Sequence, residues 1–446
     1  MAHDVKQGLE KGLEVPKPTP SGWVAAAGLV ERWLARSERV DAVLEGLASN
    51  LEPQERARAQ QLFYGVVRWA SRLEAALNGL MVRPPRTKVR AVLLIAGFEL
   101  LDADPTGGGA PGTEQTAKII HHAVERAKSV ASPKEAGLVN AVARKLAVRL
   151  TEKPADLATE FAHPEWLVAR WTRQFGAEKT RKLLEWNQQP APVYARWRAA
   201  GTPVPAFLAP AKWPGFYEVK AGHWDEIRRL ATEGALYLQD PSTRLCLELL
   251  APQPDETILD ACAAPGGKSL FIADTMQSGK VIALDEPAEP GKPDYRLVRL
   301  RENLSRAPAN VTVGMVEADL LKVGTEFYRN LNLPTSYDAV LLDAPCSNTG
   351  VMRHRIDVKW RLQDGDFARH AEQQISLLHS ASRLVRPGGR LVYSTCSIDG
   401  AENEAVVKTF LSSRVSSRVK LVRSVQAYPW ADGHDGAGAF LFEMTG

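Results

Sequence analysis

The chain of 446 residues is 45% hydrophobic and 24% charged, with a formal net charge of +4, a balance ordinary for a soluble globular protein of two to three domains. No apolar run approaches the ~20 residues needed to cross a bilayer. Four cysteines, Cys246, Cys262, Cys346 and Cys396, stand far apart with no CxxC pair, which argues against a zinc site, any other metal and a disulfide framework, and leaves single thiols kept reduced.

The first 20 residues are polar and broken by Pro16, Pro18 and Pro20. They lack the apolar core of a secretory signal and read as a flexible tail of a cytoplasmic protein. Residues 21–150 read as a helical domain. Apolar positions recur at helical spacing in AAAGLVERWLARSERVDAVLEGLA, ERARAQQLFYGVVRWASRLEAAL and VRAVLLIAGFELL, with breaks at 50–53, 83–85 and the PTGGGAPG stretch at 105–112. Helices resume at Thr113 and near Pro133. This region holds 18 Lys and Arg against 13 Asp and Glu, a surplus consistent with nucleic-acid contact and equally with a solvated helical surface.

Residues 154–235 are rich in Trp and Pro and read as a connecting α+β region. From 236 to 446 short β-rich runs alternate with helical ones. The runs are TILDACA (257–263), KVIALD (280–285), VTVGMVEAD (311–319), YDAVLLDAP (337–345) and RLVYSTC (390–396), with helices at 295–306 and 367–385 between them. This alternation predicts a Rossmann-like α/β domain, a mostly parallel, doubly wound sheet with helices on both faces. Such sheets bind ligands beyond the carboxyl ends of their strands.

The chemistry-bearing residues fall at those ends. The first strand runs into Cys262-Ala263-Ala264-Pro265-Gly266-Gly267-Lys268, which is neither GxxxxGK[ST] nor GxGxxG. A nucleoside-bearing cofactor without a pyrophosphate suits this loop. Asp285, Asp319 and Asp343 end the next three strands. A carboxylate after the second strand suits a ribose diol, and one after the third an adenine amine; helix capping is the bland alternative for each.

Cys346 in DAPCSNTG and Cys396 in STCS follow the fourth and fifth strands. A lone cysteine is ordinarily an inert small residue, the reading that fits Cys246 and Cys262. The other two lie in polar strand-end loops, and if their strands are neighbours both thiols open onto one crevice. Carbon 5 of a pyrimidine is a feeble nucleophile. A thiolate adding to carbon 6 makes it reactive towards a methyl sulfonium, after which the carbon 5 proton leaves and the thiolate is eliminated. Asp343 would hydrogen-bond the ring and favour cytosine. The residues alone leave open which thiol attacks.

Together DACAAPGGK, DAPCSNTG, YSTCSIDGAENEAVV and QDPSTRL (239–245) resemble the motifs of the RNA cytosine-5 methyltransferases of the Sun type. The resemblance covers most of 237–446. It implies a class I methyltransferase fold, S-adenosylmethionine as cofactor, Cys262 through Lys268 with Asp285, Asp319 and Asp343 around the cofactor, Cys396 as nucleophile and Cys346 promoting release. In DNA cytosine methyltransferases, by contrast, the proline–cysteine thiol attacks. The helical region, with RARAQQLFYGVVRW and GLVNAVARKL, is similar to the NusB RNA-binding domain, a pairing that points to the RsmB branch and to small-subunit (16S) ribosomal RNA. The expected protein is a monomer with RNA and no membrane as partner. The alternatives are the same chemistry on transfer RNA, or a catalytically silent assembly factor.

Four features depart from the family pattern: Asn348 where Gly is usual, Ile356 where Pro precedes Asp357, an apparent insertion at 286–293, and the glycines at 107–109. Arg353, Arg355 and Lys359 are expected to contact RNA, with Trp360 either stacking on a base or packing in the core.

Overall fold

The structure is a computed structural model that describes residues 21–36, 38–103, 112–291, 294–413 and 417–445. The N-terminal tail, nearly all of the loop at 105–112 and the last two positions of the apparent insertion lie outside the described residues. The chain divides into two compact units, 1–162 and 163–446.

The first unit is helical: α1 (Gly22–Arg36), α2 (Val40–Leu44), α3 (Pro53–Leu77), α4 (Thr87–Asp102), α5 (Thr113–Val130), α6 (Pro133–Thr151) and α7 (Leu157–Glu160). Apolar residues surround α4 on every side, and a helix of that kind must be central. Ala91 through Ala96 are accordingly buried without a gap, with α1, α3, α5 and α6 packed around them. The start of α6 follows from its sequence: Ser132 accepts the Glu135 amide at 3.3 Å and Pro133 takes the first helical position, a serine N-cap with the proline where no amide is needed.

The second unit opens with α8 (Glu165–Phe175) and α9 (Ala177–Gln188). A small antiparallel sheet of β1 (Tyr194–Trp197), β2 (Leu208–Pro210), β3 (Phe216–Val219) and β4 (Leu236–Leu238) follows, in the order β2-β3-β1-β4. Its core of Ala195, Leu208 and Leu236 is closed by Ile227 and Leu230 of α10 (Trp224–Thr232).

The large sheet takes in β5 (Thr257–Ala261), β6 (Lys280–Asp285), β7 (Thr312–Glu317), β8 (Tyr337–Asp343), β9 (Val385–Thr395), β10 (Val419–Ala427) and β11 (Ala437–Met444). Their order is β10-β11-β9-β8-β5-β6-β7, with parallel pairing from β9 to β7 and β11 antiparallel to both its neighbours. This is the doubly wound class I methyltransferase sheet that the sequence predicts. Strand residues alternate between two cores, as a pleated sheet covered on both faces requires. Leu259, Leu284, Leu342 and Tyr393 pack with α14 (Thr325–Asn330), α16 (Asp366–Ser382) and α17 (Glu404–Leu411). Ile258, Val281, Leu341 and Val392 pack with α11 (Arg244–Leu250) and α12 (Gly267–Thr275). No helix among the described residues is long and apolar enough to cross a membrane.

Candidate active site

The carboxyl ends of β5, β6, β7, β8 and β9 share one edge of the sheet. After β5 the backbone turns sharply. Cys262 has φ 63°, Gly266 has φ 99°, and the Ala264–Pro265 peptide is cis. Only glycine takes the Gly266 geometry without strain, and it stands immediately before α12. The loop is braced from outside. Ala263 N–H donates to the Leu284 carbonyl at 3.0 Å, Ala264 N–H to Asp285 Oδ2 at 2.7 Å, and Asn303 Nδ2 to the Pro265 carbonyl at 2.8 Å.

The three strand-end acids have distinct environments. Asp285 is buried and bound by the loop amide, and burial raises its carboxyl pKa. Asp319 accepts the Leu321 amide at 2.9 Å and pairs with Lys322 at 2.8 Å, and that lysine holds its pKa below the usual range. So Asp319 does cap the following turn. Asp343 is half-buried and pairs with Lys268 Nζ at 2.5 Å. Burial works against the Lys268 ammonium, but Asp343 with its anionic neighbours outweighs it and raises the lysine pKa. An acid that sequence reasoning passed over lies beneath them: Asp260 on β5 is 0% exposed, bonded through Oδ2 to Ser269 at 2.5 Å, with Oδ1 unpartnered. Burial pushes its pKa up to about 7.

Strands β8 and β9 are neighbours, with Asp343 opposite Ser394, and the two cysteines beyond them meet. Their Sγ atoms lie 3.2 Å apart. Cys346 is 7% exposed and Cys396 is partly open. The Cys396 thiol donates to Asn348 Oδ1 at 3.3 Å, so Cys346 is the donor between the sulfurs. That hydrogen bond, together with burial, pushes the Cys346 thiol well above its ordinary range. Asn348 has φ 61° and its Nδ2 donates to the Cys346 carbonyl at 2.8 Å. Asparagine is among the few side chains that tolerate this left-handed backbone, which accounts for its standing where glycine is usual. Burial acts on the other two cysteines as well. It raises the Cys246 thiol to about 12 and Cys262 well above its ordinary value.

One of the expected RNA contacts, Lys359, needs correcting. Lys359 is only 2% exposed and sits over Trp360, 4.9 Å from its ring centroid. Arg353 stacks on Trp186 at 4.2 Å and donates to the Pro190 carbonyl. Lys359 therefore serves the protein interior, its stem packing as an apolar residue does, whereas Arg353 is half-buried with its guanidinium held by an aromatic face. Arg355 remains exposed. Ile356 is buried at the usual proline position.

Three family models match the chain: "16S rRNA methyltransferase RsmB/F" over residues 247–433, "NusB family" over 25–148, and "Methyltr_RsmF/B-like, ferredoxin-like domain" over 163–208. The ribosomal RNA small subunit methyltransferase B of Salmonella paratyphi B is 33% identical over 404 residues, covering 86% of this chain and 89% of that protein. Its counterpart from Proteus mirabilis is 30% identical over 405 residues, covering 87% and 90%. The crystal structure of a methyltransferase homolog protein from Pyrococcus horikoshii superposes with a TM-score of 0.52 at 22% identity, covering 64% of this chain and 97% of that one. This last likeness is one of fold.

Proposed function

The chain belongs to the RsmB/F family of 16S ribosomal RNA methyltransferases, and on that premise we propose that it methylates carbon 5 of one cytosine in small-subunit ribosomal RNA. The observation that carries this reading is the 3.2 Å contact between a buried and a partly open thiol at the ends of neighbouring strands. Transfer to an amine or hydroxyl needs no thiol, whereas carbon 5 needs a covalent activator.

S-adenosylmethionine is the cofactor, and the residues present fit it. Asp285 and Asp319 offer carboxylates to the ribose diol and the adenine amine. Cys262 through Lys268 form a tight backbone cradle, and Lys268 with Asp343 places both signs of charge beside the reacting centre. When bound, the cofactor supplies an electrophilic methyl group.

The protein's own groups do the rest. The Cys396 thiolate adds to carbon 6, and the displaced π electrons enrich carbon 5. Asp343 hydrogen-bonds the ring and selects cytosine. Once carbon 5 is methylated its proton leaves, the carbon 5–carbon 6 double bond re-forms and Cys396 is expelled. Cys346 promotes that release. The division of labour is supported by exposure: the attacking sulfur must reach the base, and Cys396 is the more open of the two. The NusB-like unit binds RNA, and the target base must leave any helix to enter the crevice.

The test is methyl transfer from labelled S-adenosylmethionine to unmodified 16S ribosomal RNA and to transfer RNA, with the modified base mapped. Label at one 16S cytosine is expected. Label only in transfer RNA would overturn the substrate, and label in neither would overturn the activity. Cys396→Ala should abolish transfer, while Cys346→Ala should accumulate a protein–RNA band that survives denaturation. Trapping by Cys396→Ala instead would reverse the two roles.

A further inference from the structure

Glu402 lies between β9 and α17 and is 0% exposed. Among the described residues no lysine, arginine or histidine pairs with it. A carboxylate placed so deep without a cation is costly unless hydrogen bonds satisfy it. Four donors do so. Oε1 accepts Ser347 N–H at 2.8 Å and Gln374 Nε2 at 3.1 Å, and Oε2 accepts the Ser347 hydroxyl and the Ser397 hydroxyl, the latter at 2.6 Å.

The identity of these donors matters. Ser347 directly follows Cys346, and Ser397 directly follows Cys396. One carboxylate therefore holds both thiol-bearing loops. Gln374, itself fully buried, also donates to the Pro345 carbonyl at 2.9 Å, which adds a second tie to the loop of Cys346. Thr349 and Ser397 hydroxyls lie 3.0 Å apart and close the network. The next residue, Asn403, accepts from Thr395 Oγ1 at 2.8 Å and donates to the Ser397 carbonyl at 2.9 Å, so the chain on both sides of Cys396 is pinned. Glu402 itself is steadied through its carbonyl, which accepts from Tyr393 Oη at 2.6 Å.

We infer that Glu402 is a positioning residue: by accepting hydrogen bonds from the serines that follow the two cysteines, it fixes the separation of the two thiols. Loops at the ends of two strands are otherwise free to splay, and the adduct chemistry needs both sulfurs on one base. The inference rests on the proposed reaction for its consequence but not for its geometry. Errors of ~1 Å in such placement cost about 100-fold in rate.

The experiment compares the full-length protein with its Glu402→Ala, Glu402→Gln and Ser397→Ala variants in two assays. The first is the rate at which diamide, a two-electron oxidant, joins Cys346 and Cys396 in a disulfide, taking the two thiol hydrogens, with the bond located by peptide mapping. The second is kcat and KM for methyl transfer to RNA. Glu402→Ala should slow disulfide formation about tenfold or more and lower kcat about 100-fold, with KM for RNA changed by less than about threefold. Glu402→Gln keeps an oxygen for the Ser347 amide and should recover most of both. A folded Glu402→Ala protein with unchanged disulfide rate and kcat overturns the inference. If that variant does not fold, Ser397→Ala carries the test, with about tenfold slower disulfide formation expected and an unchanged rate refuting. If the unaltered protein methylates no cytosine, the proposed function fails, and the disulfide rates alone decide whether Glu402 sets the thiol separation.

Discussion

Replacing Gly350 by alanine should lower both the rate of methyl transfer and the stability of the fold. The residue sits where three segments converge. Its N–H donates to the Cys396 carbonyl at 3.0 Å and its own carbonyl accepts from Gly436 N–H at 2.8 Å. A Cβ added there would lie 2.4 Å from the Gly436 oxygen and 2.7 Å from the Cys396 oxygen. Ordinary contacts begin at about 3.5 Å, so the Cys396 carbonyl must retreat by roughly 0.8 Å, and both obstacles are backbone that cannot swing aside. Overpacking of this kind costs about 1–3 kcal/mol of stability. The same shift applied to the backbone of Cys396, the proposed nucleophile, should cost about 100-fold in single-turnover methyl transfer, by analogy with other misplaced reacting groups. Thermal unfolding and single-turnover rates measured on one preparation separate the two effects. A folded Gly350→Ala protein with a rate within about threefold of the parent would show that the crevice tolerates such movement, and the argument that tight loop packing sets the sulfur positions would fall.

Two further changes probe the rest of the molecule. Asp260 is buried with its pKa raised to about 7 from 3.8, so the folded state holds this proton more tightly than the unfolded chain. Its contribution is therefore full below about pH 4 and lost as pH rises towards 7, by an amount on the order of 4 kcal/mol at most. Asp260→Asn should remove that dependence, so urea unfolding should show the variant gaining on the parent between pH 5 and pH 8; parallel curves would refute the burial argument. Gly137 lies inside α6 with nothing within 4 Å of an added Cβ. Gly137→Ala should therefore raise stability by about 0.5–1 kcal/mol and leave methyl transfer untouched, and a lowered melting temperature would contradict it.

Much of the second unit's parallel sheet could be read from the chain. Runs such as KVIALD and YDAVLLD are continuous apolar stretches bounded by turn residues, as strands buried on both faces must be. The strands that escaped notice have physical reasons for doing so. β10 carries an irregularity in its pairing between Leu421 and Arg423, which breaks the alternation a reader looks for. β2 and β4 are three residues each, too short to display any period. Sequence also placed Lys359 outside, because it registers charge and not the long apolar stem beneath it.

The candidate site divides along a similar line. That Cys346, Cys396 and the acids at 285, 319 and 343 fall at strand ends follows from the pattern of the β-runs, but that the two cysteine strands are neighbours does not, since β7 and β8 also follow one another in the chain and are not paired. What those groups do locally depends on partners distant in the chain. Asp285 is committed to the Ala264 amide 21 residues earlier, and Ser347 to Glu402 55 residues later. A motif announces the groups that touch a substrate because their chemistry is conspicuous. The groups that hold them are ordinary Ser, Gln and Glu, and only burial distinguishes them. Glu402 stands in the YSTCSIDGAENEAVV motif with no role legible from its chemistry, yet its carboxylate is satisfied by donors from both cysteine loops. The contact between the sulfurs and the burial of that carboxylate are thus two consequences of one arrangement, and a change that loosens either should loosen the other.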